Sequence, residues 1–253
     1  MKDMLFNKIE FLATIDYSEQ VKNNKKLLPE PIKFNVPDWY KNLKHSIHEK
    51  TVKGCIPFLD TLTTGYVLKL TVDYCVSHNS INKEERKTGF KSSVSENPFR
   101  SYLQNVNVNN KFEPHPEHQV KDSPQVKKNL NLPIHKFLNP WVIKTPPGYS
   151  CLFLPPMNNS DDRFSILPGI VDTDAFENEI NFPFILNGDK YPILETTIKM
   201  GTPYVQVIPF KRDEWKMKID FIKNKTSIKN KVSFFENIID NYKNKIWKKK
   251  KWI

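Results

Sequence analysis

The spacing of apolar and polar positions divides the chain into a β-patterned middle and two ends of different character. From residue 65 to 76 the run Gly-Tyr-Val-Leu-Lys-Leu-Thr-Val-Asp-Tyr-Cys-Val alternates and is rich in β-branched and aromatic side chains, which predicts one long, half-buried strand. Strand character is expected from Thr51 onwards, with Asp60 near a turn. Segments 141–144, 149–154, 164–167, 169–172, 180–186, 193–198 and 204–208 read as further strands. Thr145-Pro146-Pro147-Gly148, Pro155-Pro156, the hairpin-type Asn187-Gly188-Asp189 and Met200-Gly201 supply turns between them. Short strands every eight to twelve residues, separated by Pro and Gly, predict a mainly β fold, an antiparallel sandwich or a β-clip-like barrel.

The two ends read differently. Residues 1–50 are expected to form an irregular strap with one short helix, where Pro37 and Asp38 start a turn that places Trp39, Tyr40 and Leu43 at helical spacing. Residues 78–135 are polar and predict a hairpin with long loops. Near the C-terminus, Ser233-Phe234-Phe235-Glu236 fits a capping box, and Phe235, Ile238, Ile239, Tyr242 and Ile246 fall on one face of a helix with lysines opposite. The last turn, from Trp247 to Ile253, is expected to fray. The resulting division is a strap over 1–50, a β-rich core over 51–210 and a basic helical extension over 211–253.

Charge sharpens this division. The chain of 253 residues has 39 Lys and Arg against 28 Asp and Glu, a formal net charge of +11, but residues 211–253 alone contribute +9. The body is therefore nearly neutral, and weak, non-specific contact with a polyanion is expected only through the lysines of 243–251. Only four of the 39 are Arg, and Ala occurs only twice, a bias that an AT-rich coding sequence produces. With two Ala and 19 Pro, a helical bundle is excluded. Cys55, Cys75 and Cys151 are odd in number, lack any CxxC spacing and lie among apolar residues, the usage of buried thiols in a reducing compartment. No apolar run approaches the roughly 18 residues of a membrane span. The first 16 residues carry Asp3, Glu10 and Asp16 without a small-residue cleavage site, so no secretory leader is expected.

Three groups of residues carry candidate chemistry. Asp172 and Asp174 share a short loop, and Asp60 belongs to a polar cluster with Thr61, Thr63, Thr64 and Tyr66. Paired acids of this kind do acid–base work when burial separates their pKa values. His115 and His118, flanked by Glu113 and Glu117, have the ligand types for Zn²⁺ or Fe²⁺, although the intervening prolines favour an extended, solvated loop. Tyr66, Tyr149, Arg163 and Gln206 are candidate ligand-binding residues, and Trp39 and Trp141 read as packing anchors. The residues fix no cofactor.

Thr145-Pro146-Pro147-Gly148-Tyr149-Ser150, then Gly169-Ile170-Val171-Asp172-Thr173-Asp174, then Lys199-Met200-Gly201-Thr202-Pro203-Tyr204-Val205-Gln206-Val207-Ile208 form an ordered set. This order resembles the β-clip fold of deoxyuridine triphosphatases and deoxycytidine triphosphate deaminases. The resemblance implies that Asp172 takes the place of the carboxylate that activates the attacking water, and that Gln206 lies in a later family motif. The chain departs from that pattern in lacking the Ala-Gly-x-Asp-Leu motif and the glycine-rich arm. It also has Pro156-Met157-Asn158-Asn159-Ser160 where the phosphate-binding Arg-Ser-Ser would stand, and Ala175 or Phe176 at the stacking tyrosine.

A longer resemblance runs over residues 30–215. Pro-Asp-Trp-Tyr-Lys-Asn-Leu at 37–43, Cys-Ile-Pro-Phe-Leu-Asp-Thr-Leu-Thr-Thr-Gly-Tyr at 55–66, Pro-Trp-Val-Ile-Lys-Thr-Pro-Pro-Gly-Tyr-Ser at 140–150 and the segment 169–174 are similar to an uncharacterised family of marine tailed phages and some bacteria. That resemblance implies a viral setting, in the host cytoplasm or the virion, and no particular activity.

Two functional expectations follow. A non-catalytic protein that binds a ligand, a phage or host partner, or further copies of itself should scatter Asp60, Asp172 and Asp174 and present an apolar contact surface. A hydrolase-type enzyme, nucleotide-related or metal-assisted, should gather them in one concave site.

Overall fold

Alternation in the middle of the chain produces antiparallel sheets. The computed structural model describes residues 7–13, 18, 24–46, 48–79, 81, 119–120, 122–130, 132, 134–221 and 242–253. Strands β1 (Glu10–Ala13) and β2 (Glu30–Pro31) precede helices α1 (Asp38–Asn42) and α2 (Ile56–Thr63). There follow β3 (Tyr66–Lys69), β4 (Tyr74–Asn79), the short helix α3 (Pro124–Lys128), β5 (His135–Phe137) and β6 (Trp141–Lys144). The series closes with β7 (Tyr149–Leu154), β8 (Phe164–Ile166), β9 (Gly169–Val171), β10 (Phe182–Leu186), β11 (Ile193–Ile198) and β12 (Pro203–Lys211). A five-stranded sheet has the order β2-β3-β12-β7-β9, a three-stranded sheet β5-β10-β8, and two further pairs are β1-β6 and β11-β4. Among the described residues no sheet closes on itself, so the architecture is sandwich-like and not a barrel.

One buried cluster joins the sheets. Val205 and Val207 of β12 and Phe153 of β7 meet Phe137, Phe164, Phe182 and Phe184 of the three-stranded sheet. Phe137 stacks on Phe184 at 3.7 Å between ring centroids and receives the edges of Tyr74, Phe164 and Tyr204. Offset and edge-on ring pairs of this kind add to the area they bury. Cys151 lies in the same core, where its thiol contacts the Thr173 hydroxyl at 3.3 Å and burial raises its pKa to about 11.

The outer face of the five-stranded sheet is covered by α2 and the strap. Pro57 starts α2, Leu62 is buried beneath it, and Gly65 ends the connection with φ +82°. A Cβ at Gly65 would also collide with the Val207 carbonyl, so both backbone freedom and space require glycine there.

Several expectations are corrected. Residues 56–63, read as strand, form a helix, with Ile56, Leu59 and Leu62 at three-residue spacing and Pro57 in its first turn. The single strand over 65–76 is two strands that join different sheets, with the chain turning between Leu70 and Asp73. Asp73 fixes that corner by accepting from the Met200 N–H at 2.8 Å and pairing with Lys199 at 2.9 Å. The Asn187-Gly188-Asp189 turn does not make a hairpin, since β10 pairs with β5 and β8 while β11 pairs with β4. The strap contributes strands of its own, β1 against β6 and β2 against β3. The expected helix α1 is present at Asp38–Asn42. The C-terminal helix falls largely outside the described residues, where Phe235, Ile238 and Ile239 lie, and only a π-helical turn at Tyr242–Ile246 is described.

Burial of His135 gives the sandwich a pH dependence. The imidazole is 6% exposed beside Phe184, and burial lowers its pKa to about 4. A folded-state pKa below the unfolded value of 6.5 contributes stability that is complete above about pH 6.5 and is lost as the pH falls towards 4. The loss attributable to His135 is at most about 3 kcal/mol. Urea midpoints at pH 7 and pH 5 should therefore differ in the native chain, and the difference should shrink in His135→Phe, with a remainder from the buried His78, whose pKa burial also lowers; an unchanged difference in the variant would assign the effect elsewhere.

Candidate functional site

The Asp172/Asp174 loop is built on the end of β7. β9 pairs with β7 so that Val171 lies opposite Cys151, and the chain then turns, with the Asp172 carbonyl accepting from the Ala175 and Phe176 N–H groups at 3.0 and 2.9 Å. Thr173 points inward, fully buried, and shares a 2.7 Å hydrogen bond with Thr145. The two flanking carboxylates converge on Arg212. Asp174 accepts from Nη1 at 2.9 Å, pairs with Nη2, and accepts from the Gly148 N–H at 2.8 Å. Asp172 accepts from the Ser150 hydroxyl at 2.6 Å and lies 3.3 Å from Arg212 Nη1. The guanidinium also donates to the Tyr149 carbonyl at 3.0 Å. Hydrogen bonds from Arg212 and then Gly148 hold the Asp174 carboxyl at about 2, so it is an anion at neutral pH. One arginine fork thus fastens the 145–148 turn, the 172–176 turn and the end of β12 to one another.

Asp60 is held elsewhere. It lies on α2, accepts from the Trp247 indole N–H at 3.2 and 3.1 Å, and pairs with Lys250. Tyr66 completes this C-terminal dock: its hydroxyl donates to the Ile253 carbonyl at 3.3 Å, and its ring meets Trp252 edge to face at 5.9 Å. Lys33 of the strap donates to the Trp252 carbonyl at 2.7 Å. The terminal residues 247–253 are therefore docked and not frayed, because two indoles and a lysine find partners on α2, β3 and the strap.

Gln206 is wholly buried on the outer face of β12. Its amide donates to the Thr61 and Thr64 carbonyls at 3.1 and 2.7 Å and accepts from the Met157 N–H at 3.0 Å. These contacts satisfy carbonyls at the end of α2 that the helix itself leaves unpaired. α2 is thus fastened at Gln206, whereas the acid loop is fastened at Arg212, six strand residues or roughly 20 Å further along. Asp60 and the Asp172/Asp174 pair do not share a site.

The other candidates are also engaged internally. Arg163 forms a fork with Asp161 at 2.9 and 2.7 Å and donates to Thr196 at 2.8 Å. The Tyr149 hydroxyl accepts from the Asn7 amide at 2.6 Å. An open cleft of about 310 Å³ lies beside this loop, lined by Asn129, Asn158, Asn159, Asp161, Asp162 and Asn187 among others. Both of its carboxylates are taken, Asp161 by Arg163 and Asp162 by Lys190 and the Tyr191 hydroxyl. His115 and His118 lie outside the described residues. Among the described residues, no group of three or more His, Cys, Asp or Glu is placed to hold a metal ion.

A feature not anticipated from the sequence lies just beyond β12. The Arg212 N–H still bonds the Gly148 carbonyl at 2.8 Å, and the Asp213 N–H turns back onto the Lys211 carbonyl at 3.1 Å. From there residues 214–221 run outside the sheets, with Trp215, Met217, Ile219 and Phe221 exposed by 91, 82, 73 and 83%. Glu214, Lys216, Lys218 and Asp220 occupy the intervening positions. Its signal in the sequence is strict alternation over 214–221, next to a helical pattern further along.

Two outcomes test these assignments. Asp60→Ala should release the C-terminal dock and speed tryptic cleavage within 248–251 several-fold while the far-ultraviolet circular dichroism is kept; an unchanged cleavage rate would mean that Asp60 does not hold the segment. Because its folded-state pKa is depressed, Asp174 contributes stability that is present above about pH 4 and is lost as the pH falls through about 2. The difference in urea midpoint between the native chain and Arg212→Ala should therefore be larger at pH 6 than at pH 2.5, and equal gaps at the two pH values would contradict the pairing.

In comparisons with known proteins, no family model matches the chain, and no match is found among the curated proteins.

Proposed function

We propose that this chain is a non-catalytic partner-binding protein, with a sandwich body that serves as a scaffold and the apolar arm at 215–221 as its contact element. The observation that carries the reading is the display of Trp215, Met217, Ile219 and Phe221 at alternate positions. Monomeric proteins rarely leave a contiguous apolar stripe of this size uncovered, and aromatic and Met side chains are the types enriched at contact surfaces. The internal engagement of Asp60, Asp174, Arg163 and Gln206 supports the same reading, since each is tied to a structural partner. The resemblance to the marine-phage family supports a place in the host cytoplasm or the virion. Lysines of 243–251 would add weak attraction to a polyanion.

The alternative is a hydrolase-type enzyme, nucleotide-related or metal-assisted, that uses the Asp172/Asp174 loop. One observation favours it: the Asp172 side chain is 65% exposed although it is hydrogen-bonded to Ser150. Phosphate release from deoxyuridine and deoxycytidine triphosphates, with Mg²⁺ or Mn²⁺ supplied, separates the two. No release above buffer is expected. Turnover that disappears in Asp172→Ala, with the melting temperature preserved, would overturn the non-catalytic reading.

A further inference from the structure

The outer layer of the sandwich gathers the charge of the chain onto one face. We infer that this face, formed by the strap and the docked C-terminal segment together, binds single-stranded nucleic acid. It is a second surface, independent of the arm at 215–221.

Residues 24–54 hold seven Lys against three Asp and Glu, and residues 242–253 hold six Lys and no acid, so the two segments carry +10 of the net +11. They are far apart in sequence and adjacent in the fold. Lys33 donates to the Trp252 carbonyl at 2.7 Å, Trp247 and Lys250 are held by Asp60 of α2, and Tyr40 of α1 stacks on Phe58 of α2 at 5.8 Å. The Lys53 ammonium donates to the Lys41 carbonyl at 2.7 Å and ties the rest of the strap to α1. Pairing separates this layer from the rest of the molecule. Among the described lysines of the two segments, only Lys41 and Lys250 meet a carboxylate, Asp38 and Asp60. Elsewhere Lys127, Lys144, Lys190, Lys199 and Lys211 each pair with one. A coding bias towards lysine raises the number everywhere, but it does not segregate the unpaired ones onto one layer.

A concentrated positive face gains free energy by releasing counterions from phosphates, with no contact to a base required. Lysine meets phosphate as a point charge and not as a fixed fork, so the contact is indifferent to sequence. Exposed rings supply the second component. Phe34 is 64% exposed with the Lys33 ammonium 5.2 Å from its centroid, and Trp39 is 41% exposed. Unpaired bases stack on rings set among cations, whereas bases inside a duplex have no free face to offer, and this selects single strands. The indoles of Trp247 and Trp252 are turned onto Asp60 and Tyr66, which leaves neither to anchor the face in a bilayer interface.

Fluorescence anisotropy of a labelled oligothymidylate of about 20 nucleotides, longer than one site of this kind, tests the inference on the full chain. Neutralising about six phosphates of a single strand gives a slope of about −4 for log affinity against log salt, so binding should weaken about 300-fold between about 50 and 200 mM. Phe34→Ala should weaken binding roughly tenfold at fixed salt and leave the slope unchanged. Replacing Lys25, Lys26 and Lys44 by Ala, or Lys248, Lys249 and Lys251, should in each case make the slope shallower by about 2. All six side chains are exposed, and Lys250 is kept so that the dock survives. Lys128, Lys136 and Lys216 are exposed lysines outside the layer, so their joint replacement by Ala removes the same charge and should leave the slope as it was. No binding at the lower salt, an equal loss in that control, a response confined to the terminal lysines, or indifference to Phe34→Ala would each overturn the inference. Equal affinity for a duplex of the same length would do so too, as would displacement of the oligonucleotide by phosphatidylserine vesicles at a lower phosphate concentration than by unlabelled oligonucleotide. These readouts report binding alone, so the phosphate-release result stands separately.

Discussion

Strand β12 lies in the middle of the five-stranded sheet, and its burial on both faces places a polar side chain in the dry interior at Gln206. An amide buried without partners is costly, so the strand requires carbonyl acceptors and an N–H donor at one level of the sheet. The end of α2 and the Met157 N–H supply them. Much of the outer layer follows from that requirement. α2 is held close enough to bury Leu62, Gly65 passes beneath the Val207 carbonyl, and the loop after β7 closes over the helix through the Asn158 hydrogen bond to Thr61 at 2.9 Å. Trp39 of α1 then donates to the Asn158 carbonyl at 3.1 Å and fixes the strap over the same corner.

The parts of this fold legible in the sequence are those governed by local rules. Strands of the 141–211 region follow alternation closely, and the Pro147-Gly148 and Met200-Gly201 turns carry their glycines at positive φ. Alternation does not say which sheet a strand joins. It therefore did not reveal that residues 66–69 and 74–79 part company at Leu70, a choice made by pairing with β12 on one side and β11 on the other. The helix at 56–63 was obscured because a short apolar run bounded by Pro and Gly fits strand and helix equally until tertiary contacts decide.

Candidate chemistry was legible as residue types and not as roles. The acids of the Gly-Ile-Val-Asp-Thr-Asp segment suggest catalysts by their types and, for Asp172, by the β-clip resemblance. Their partner, Arg212, comes 38 residues after Asp174, beyond the limit set for the β core, and no local pattern couples the two. Asp60 is similar, with a tryptophan and a lysine from the distant C-terminal segment as its partners. Carboxylates whose partners are distant in sequence look free in a sequence and are bound in the structure. The arm at 215–221 shows the opposite: an entirely local signal whose significance emerged only when the fold left it uncovered.

The three cysteines carry one last consequence. Cys55 is exposed, Cys75 is partly covered, and Cys151 lies between β12 and β9 with a thiol that burial makes hard to ionise. The thiolate is the form that attacks thiol reagents, so these positions form a graded series of reactivity. Modification at Cys55 reports a surface that is always open, whereas modification at Cys151 requires the five-stranded sheet to part beside it. The chain therefore contains its own clock for sheet opening, with the fast site as the internal reference for the slow one.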